Sequence, residues 1–173
     1  MSKVFTVTAG HGAADPGAVR DGLTERDLMT ELRDIVASKL QMMGHTVRTD
    51  GGRGINLPLT MALQLIRGSA AAIELHTNAA TNPAATGVEV ISLPAQAAQA
   101  RAVARGIADV LGLPLRGAGG WKDQSQTKRG RLGFVNSGGM VVEVFFQSNP
   151  SDLAAYQAKK EQVATAIAKA LTE

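Results

Sequence analysis

The sequence predicts a single-domain α/β fold: a mixed, mostly parallel, twisted sheet with helices on both faces. Three observations carry this expectation. Short apolar runs at residues 4–8, 71–75 and 140–146 read as buried strands, the last apolar apart from one glutamate. Longer stretches with apolar residues at helical spacing alternate with them, and that alternation is the pattern of a sheet layered with helices. The 173 residues suffice for one sizeable core, and no repeat or linker divides them, so residues 1–173 read as one domain.

The elements follow in order. Residues 4–8 are β-branched and apolar, a first strand. Residues 10–22 hold four Gly, one Pro and two Asp, which makes a loop. Thr24 reads as a helix N-cap with Asp27 three residues on, and Leu28, Leu32, Ile35, Val36 and Leu40 follow on one face until Gly44 ends the helix. Residues 45–49 read as an edge-like strand that starts at His45, and 51–56 as a loop. Residues 57–67 read as a helix with Pro58 in its first turn. The strand at 71–75 runs into His76. Residues 77–86 are a polar loop and 88–92 a strand. An Ala-rich helix spans 94–111, ended by Gly112 and Pro114. Residues 115–130 read as a Gly- and Lys-rich surface loop, 131–135 as a short strand and 140–146 as a central one. Ser151 caps a last helix reaching Leu171, with Val163, Ile167 and Leu171 on one face.

Composition excludes several classes of function. Without cysteine there is no disulfide, no thiolate metal site and no Cys nucleophile, so a transition metal must sit on His and carboxylate ligands. Aromatics are 3% of the chain, which leaves the core to aliphatic residues and argues against a platform that stacks nucleic-acid bases. No apolar run approaches the ~18 residues of a membrane span, so neither nucleic acid nor a membrane is an expected partner. The apolar stretch at 4–8 is too short for a secretory signal, and no Sec-type export is expected. A net charge of +3 by itself favours an anionic partner such as a cell-wall polymer, lipopolysaccharide or nucleic acid, or serves solubility alone.

Two of the three histidines, His11 and His76, follow apolar strands, where α/β folds place ligands. His11 lies between two glycines. Glu25 stands in the first turn of the capped helix. Two His and one Glu form a set that catalytic zinc commonly takes, with one position left for water. Glu143 interrupts an apolar strand, where a carboxylate is costly unless paired, protonated or near a metal; it is a candidate general base. Each residue also has an ordinary reading: strand histidines are often structural, Glu25 suits the helix dipole, and buried glutamates often form salt bridges. His45 reads as structural. Gly10-His11-Gly12 falls short of a dinucleotide fingerprint, because Asp15 stands where the third Gly belongs and no helix begins at once.

Taken together, the motifs point further. Gly10-His11-Gly12, Asp15-Pro16-Gly17-Ala18, Gly22-Leu23-Thr24-Glu25-Arg26-Asp27-Leu28, Ile73-Glu74-Leu75-His76-Thr77-Asn78-Ala79 and Val142-Glu143 followed by Ser148-Asn149 come in sequence along the chain. In this order they resemble amidase family 3 of the N-acetylmuramoyl-L-alanine amidases. The departures are Thr8-Ala9 in place of Asp-Pro, Ala13 in place of a second Gly, and Glu74 in place of Ser.

The resemblance implies a zinc amidase 3, phosphorylase/hydrolase-like fold. It implies Zn2+ on His11, Glu25 and His76, with Glu143 as the catalytic glutamate. The implied substrate is peptidoglycan, cut at the amide between N-acetylmuramic acid and L-alanine, with a zinc peptidase acting within the stem peptide as the alternative. Lys122, Lys128, Arg129 and Arg131 are candidates for contact with glycan or peptide carboxylates, or form a solvated basic loop. Asn78 and Asn149 are candidate hydrogen-bonding residues or turn formers. The compact layout without an export signal leads us to expect a monomeric phage endolysin for a thin Gram-negative wall, held in the host cytoplasm until released to the wall; a catalytic domain of a bacterial wall amidase is the alternative.

Overall fold

The structure, a computed structural model, describes residues 1–12 and 14–173; Ala13, one of the departures above, lies outside the described residues. Six strands form the main sheet: β1 (Val4–Ala9), β4 (Thr46–Arg48), β5 (Ala71–Asn78), β6 (Glu89–Ser92), β7 (Trp121–Asp123) and β8 (Met140–Phe146). Their order is β4-β1-β5-β8-β6-β7. The first four run parallel; β6 is antiparallel to β8, and β7 is parallel to β6. The strand starting near His45 is indeed an edge. A separate small hairpin pairs β2 (Val19–Arg20) with β3 (Leu23–Thr24).

Strand alternation sends the sheet's side chains into two unequal layers. Phe5, Val7, Ile73, Leu75, Met140 and Val142 face α1 (Glu25–Met42), α3 (Ala97–Leu111) and α5 (Pro150–Thr172), and this is the main core. Tyr156 of α5 stacks on Phe145 at 4.5 Å and donates its hydroxyl to Leu28 O of α1, tying two helices and a strand together. On the other face Ala72, Ile91 and Val141 meet only α2 (Leu59–Leu65) and α4 (Gly133–Asn136), in a smaller cluster around Phe134. Helices therefore lie on both faces, but one face is thinly covered, and the thin layer leaves room for a cleft.

Helix ends follow their signals. Thr24 accepts a bond from Asp27 N at the start of α1, and Gly44, at φ 84°, turns the chain away beyond its end. The last helix starts at Pro150 rather than after a Ser151 cap. Its cap is Asn149, whose side chain accepts from Ser151 N and Asp152 N, with Pro150 in the first turn, where a missing N–H costs nothing. Pro58 precedes α2 as its cap rather than lying inside it.

Three expectations change. Residues 131–135 do not form a strand: 133–136 make the single turn α4, which buries Phe134 and Val135. A short apolar run does not distinguish the two, and the chain doubles back at once through Gly138 and Gly139, the latter pressed against the Phe134 ring. Strand β7 lies inside the expected surface loop 115–130. The hairpin β2–β3 starts inside the expected loop 10–22 and takes in Leu23 and the cap Thr24, turning on Asp21 and Gly22, both with positive φ.

Candidate active site

The site lies on the thinly covered face, where β1, β5 and β8 run side by side. His11 follows β1 in a left-handed backbone conformation (φ 60°), which few residues without a Gly backbone adopt. Its loop is held from below: Asn56 Nδ2 donates to Ala9 O (2.8 Å) and His11 O (2.7 Å), while Asn56 Oδ1 accepts from Arg33. Arg33 is wholly buried and also meets Asp50 and the carbonyls of Gly52 and Ile55. His76 lies in β5, beside Glu143 in β8, the two being register partners. Just beyond this pair β8 carries one extra residue, so that Asn78 pairs with Phe146; such a bulge re-aims side chains near a site.

Glu25, the first residue of α1, sits between the two rings. Its Oε2 lies 3.2 Å from His11 Nε2 and its Oε1 3.0 Å from His76 Nδ1. Ala18 N and Thr77 N also donate to this carboxylate. Burial would raise its pKa, but the bonds to both histidines outweigh that and hold it well below the usual carboxylate range. His11 is raised by its bond to Glu25. His76 is raised well above its ordinary value, with burial opposing and the bonds to Glu25 and Glu74 prevailing.

The outward nitrogens of the rings have carboxylate partners of their own. His11 Nδ1 lies 2.8 Å from Asp15 Oδ2, and His76 Nε2 lies 3.2 Å from Glu74 Oε2. Each carboxylate fixes which nitrogen carries the proton, leaving the other free to bind a metal. One donor atom each from His11, Glu25 and His76 lies within 4.8 Å of the others, an arrangement that could hold a metal ion. Two glycines make the close packing feasible. A Cβ on Gly10 would strike the His76 ring, and one on Gly17 would come 2.6 Å from His11 Cδ2 and 2.7 Å from Glu25 Oε2.

Glu143 completes the floor. Its Oε2 is sealed from solvent and has no hydrogen-bond partner among the described residues. Burial raises its pKa to about 7, a value suited to taking and returning a proton near neutrality. It stands in the middle of β8 rather than at its end. Across β6 it faces Glu89, which Arg116 and Lys122 neutralise at 2.8 and 2.7 Å.

The family model for N-acetylmuramoyl-L-alanine amidases matches residues 6–173. The chain belongs to this family. Amidase activity on peptidoglycan is what membership carries. A solved structure from Neisseria meningitidis, described as a candidate N-acetylmuramoyl-L-alanine amidase, is 43% identical, with a TM-score of 0.90 over 98% of this chain and 94% of that one. The catalytic domain of the amidase CwlV from Bacillus (Paenibacillus) polymyxa var. colistinus shares the fold at 23% identity (TM-score 0.84, 98% and 96% covered). So does the catalytic domain of CD27L, an endolysin targeting Clostridia difficile, at 22% identity (TM-score 0.74, 98% and 97% covered). No curated protein matches the chain.

The amidase fold thus brings His11, Glu25, His76 and Glu143 to one cleft of about 740 Å3, and Asn78, Lys128, Arg129 and Arg131 line it too. Asn78 donates to Glu89 and its own Oδ1 accepts from Ala79 N, so it serves both as a site residue and as a turn former. Asn149 caps α5. Lys122 does not reach the cleft wall; it is turned to Glu89. Sequence reasoning passed over Gln147, which is fully buried. Its Nε2 donates to Leu23 O, and its Oε1 accepts from Thr77, fastening the β2–β3 hairpin beside Glu25. It also left the partners of the two histidines open. Glu74 was visible as a departure, but only the alternation of β5 puts it on the same face as His76.

Proposed function

We propose that this amidase is a zinc-dependent peptidoglycan hydrolase that cleaves the amide between the lactyl group of N-acetylmuramic acid and L-alanine. The observation that carries the reading is the convergence of His11, Glu25 and His76 beside an unbonded, buried Glu143 oxygen. The donor set fits zinc: two neutral imidazole nitrogens and one carboxylate, each ring oriented by a second carboxylate. Bound there, zinc supplies Lewis-acid polarisation of the scissile carbonyl and makes water acidic enough to deprotonate near neutrality. The Glu143 carboxylate accepts the proton of the attacking water and delivers it to the departing L-alanine amine. Asp15 and Glu74 keep the rings in the tautomers that binding needs.

Mass spectrometry of digested peptidoglycan tests the bond. Intact stem peptides with a free L-alanine amine are expected; cuts only between amino acids would convert the reading to a peptidase. Chelation should abolish turnover and added zinc restore it. The biological setting we propose is host lysis by a phage endolysin acting as a monomer, kept in the host cytoplasm until it reaches the wall. Its support is the shared fold with the CD27L catalytic domain. The 43% identity to a Neisseria meningitidis protein favours a second reading, a bacterial wall amidase. Expression in a Gram-negative cytoplasm with and without a membrane-permeabilising holin separates them. Lysis only with the holin supports the endolysin; activity on isolated walls without holin-dependent lysis turns to the bacterial enzyme.

A further inference from the structure

Resting on the amidase reading, we propose that Lys128, Arg129 and Arg131 form a wall that binds the free carboxylate of the stem peptide's second residue, so that the peptide lies along this wall. The cleft is asymmetric. Its lining carries Glu25, Glu74 and Glu143 and the apolar run Leu57, Pro58 and Leu59, with residues 127–134 as a second rim that adjoins the apolar run where Gly133 approaches Leu59. Lys128, Arg129 and Arg131 are exposed on that second rim and have no carboxylate partner among the described residues. Some cations elsewhere are paired, as Arg26 is with Asp27, Arg33 with Asp34, Lys39 with Glu161 and Lys122 with Glu89, while others, such as Arg53 and Arg105, are not paired among the described residues; what sets these three apart is that they line the cleft.

The wall is pinned although it reads as a loop. Gln124 is its hub. Its Oε1 accepts from Leu132 N (2.9 Å), its Nε2 donates to Asn136 Oδ1 (2.9 Å), and its carbonyl accepts the Thr127 hydroxyl (2.7 Å). Gly130 N in turn donates to Thr127 O. The backbone between residues 127 and 132 is thereby fixed at both ends and in the middle. Cations on a fixed backbone lose less freedom when they engage a ligand.

The chemistry of the substrate assigns its direction. The lactyl carboxyl of N-acetylmuramic acid is consumed in the scissile amide, and its sugars are otherwise neutral. The negative groups lie on the peptide side. Next to L-alanine stands a glutamate joined through its side chain, whose α-carboxyl is free in some walls and amidated in others. The acidic floor repels such a carboxylate and the basic wall attracts it, so one register is favoured.

The test compares two muramyl-peptide substrates that differ only in a free or an amidated α-carboxyl at the second residue. The wild-type protein should prefer the free acid by about tenfold in kcat/KM, expressed in KM. The triple variant K128Q/R129Q/R131Q should lose that preference, its loss falling far more on the free-acid substrate than on the amidated one. Calorimetry of the two free stem peptides with the Glu143→Gln protein, with and without the triple change, reads the same preference without turnover. Equal handling of both substrates by the wild-type protein, or an equal loss on both in the triple variant with its unfolding temperature intact, overturns the wall. Absence of muramyl–alanine cleavage by the wild-type protein overturns the amidase reading instead, and the peptide-binding preference then still decides the wall.

Discussion

Glu143 is held in the fold at a cost. Its oxygen Oε2 has neither solvent nor partner, and burial lifts its pKa from 4.5 to about 7. A carboxyl whose pKa is raised on folding contributes stability fully below its unfolded value and loses it as pH rises through the folded one. In the metal-free protein, Glu143→Gln should therefore stabilise the fold at pH 8 by about 1–3 kcal/mol, with the gain vanishing near pH 4. Thermal unfolding at the two pH values checks this. The same variant should lose at least about a hundredfold in kcat. Because the carboxylate must be charged to accept a proton, kcat/KM should fall as pH drops through its pKa. A dication beside it favours the charged form, so the midpoint should lie below 7. An acidic limb that survives unchanged in the Gln protein would assign it to another group. Gly17→Ala is a sharper steric probe: its Cβ would meet both His11 and Glu25. Zinc retention in a chelator competition should fall more than about tenfold, the scale on which supporting changes act at metal sites.

Among the elements, the first loop depends on a neighbour with no obvious signature. Arg33, on the buried side of α1, reaches the 51–57 loop, and Asn56 of that loop carries the carbonyls flanking His11. Asn56→Ala strands those carbonyls and one guanidinium N–H, which should cost about 1–3 kcal/mol and weaken zinc retention, whereas exposed Asn82→Ala should do neither. Denaturant unfolding with metal titration reads both. Much was legible beforehand. The strands holding His76 and Glu143 stood out because continuous apolar runs mark buried strands, and α1 because Thr24 and Gly44 bracket it. What stayed hidden depends on pairing at a distance. Strand β7 is three residues long and exists because β6 offers it an edge. The hairpin β2–β3 had a local signal, Asp21-Gly22, but its two-residue strands lack any alternation to read. Arg33 carries no signal, because nothing in a helical period says that a polar partner waits on the buried side.

At the scale of the molecule, the two faces of the sheet divide the work. The face toward α1, α3 and α5 holds the larger core, and substitutions such as Ile73→Ala there should cost about 2–5 kcal/mol. The opposite face gives up cover for a cleft, and the specificity of the amidase is written in the short elements around it. The fastening of the β2–β3 hairpin has one more consequence. Leu23 O is reached by Gln147 and Arg20 by Ser148 O, partners 124 and 128 residues further along the chain. A growing chain that has made His11, Glu25 and His76 still lacks the residues that lock them, and α1 lacks the helix that covers it. The lock on the hairpin beside Glu25 therefore forms only once residues 147 and 148 have been made, and a chain that stops before Gln147 should leave that hairpin unfastened.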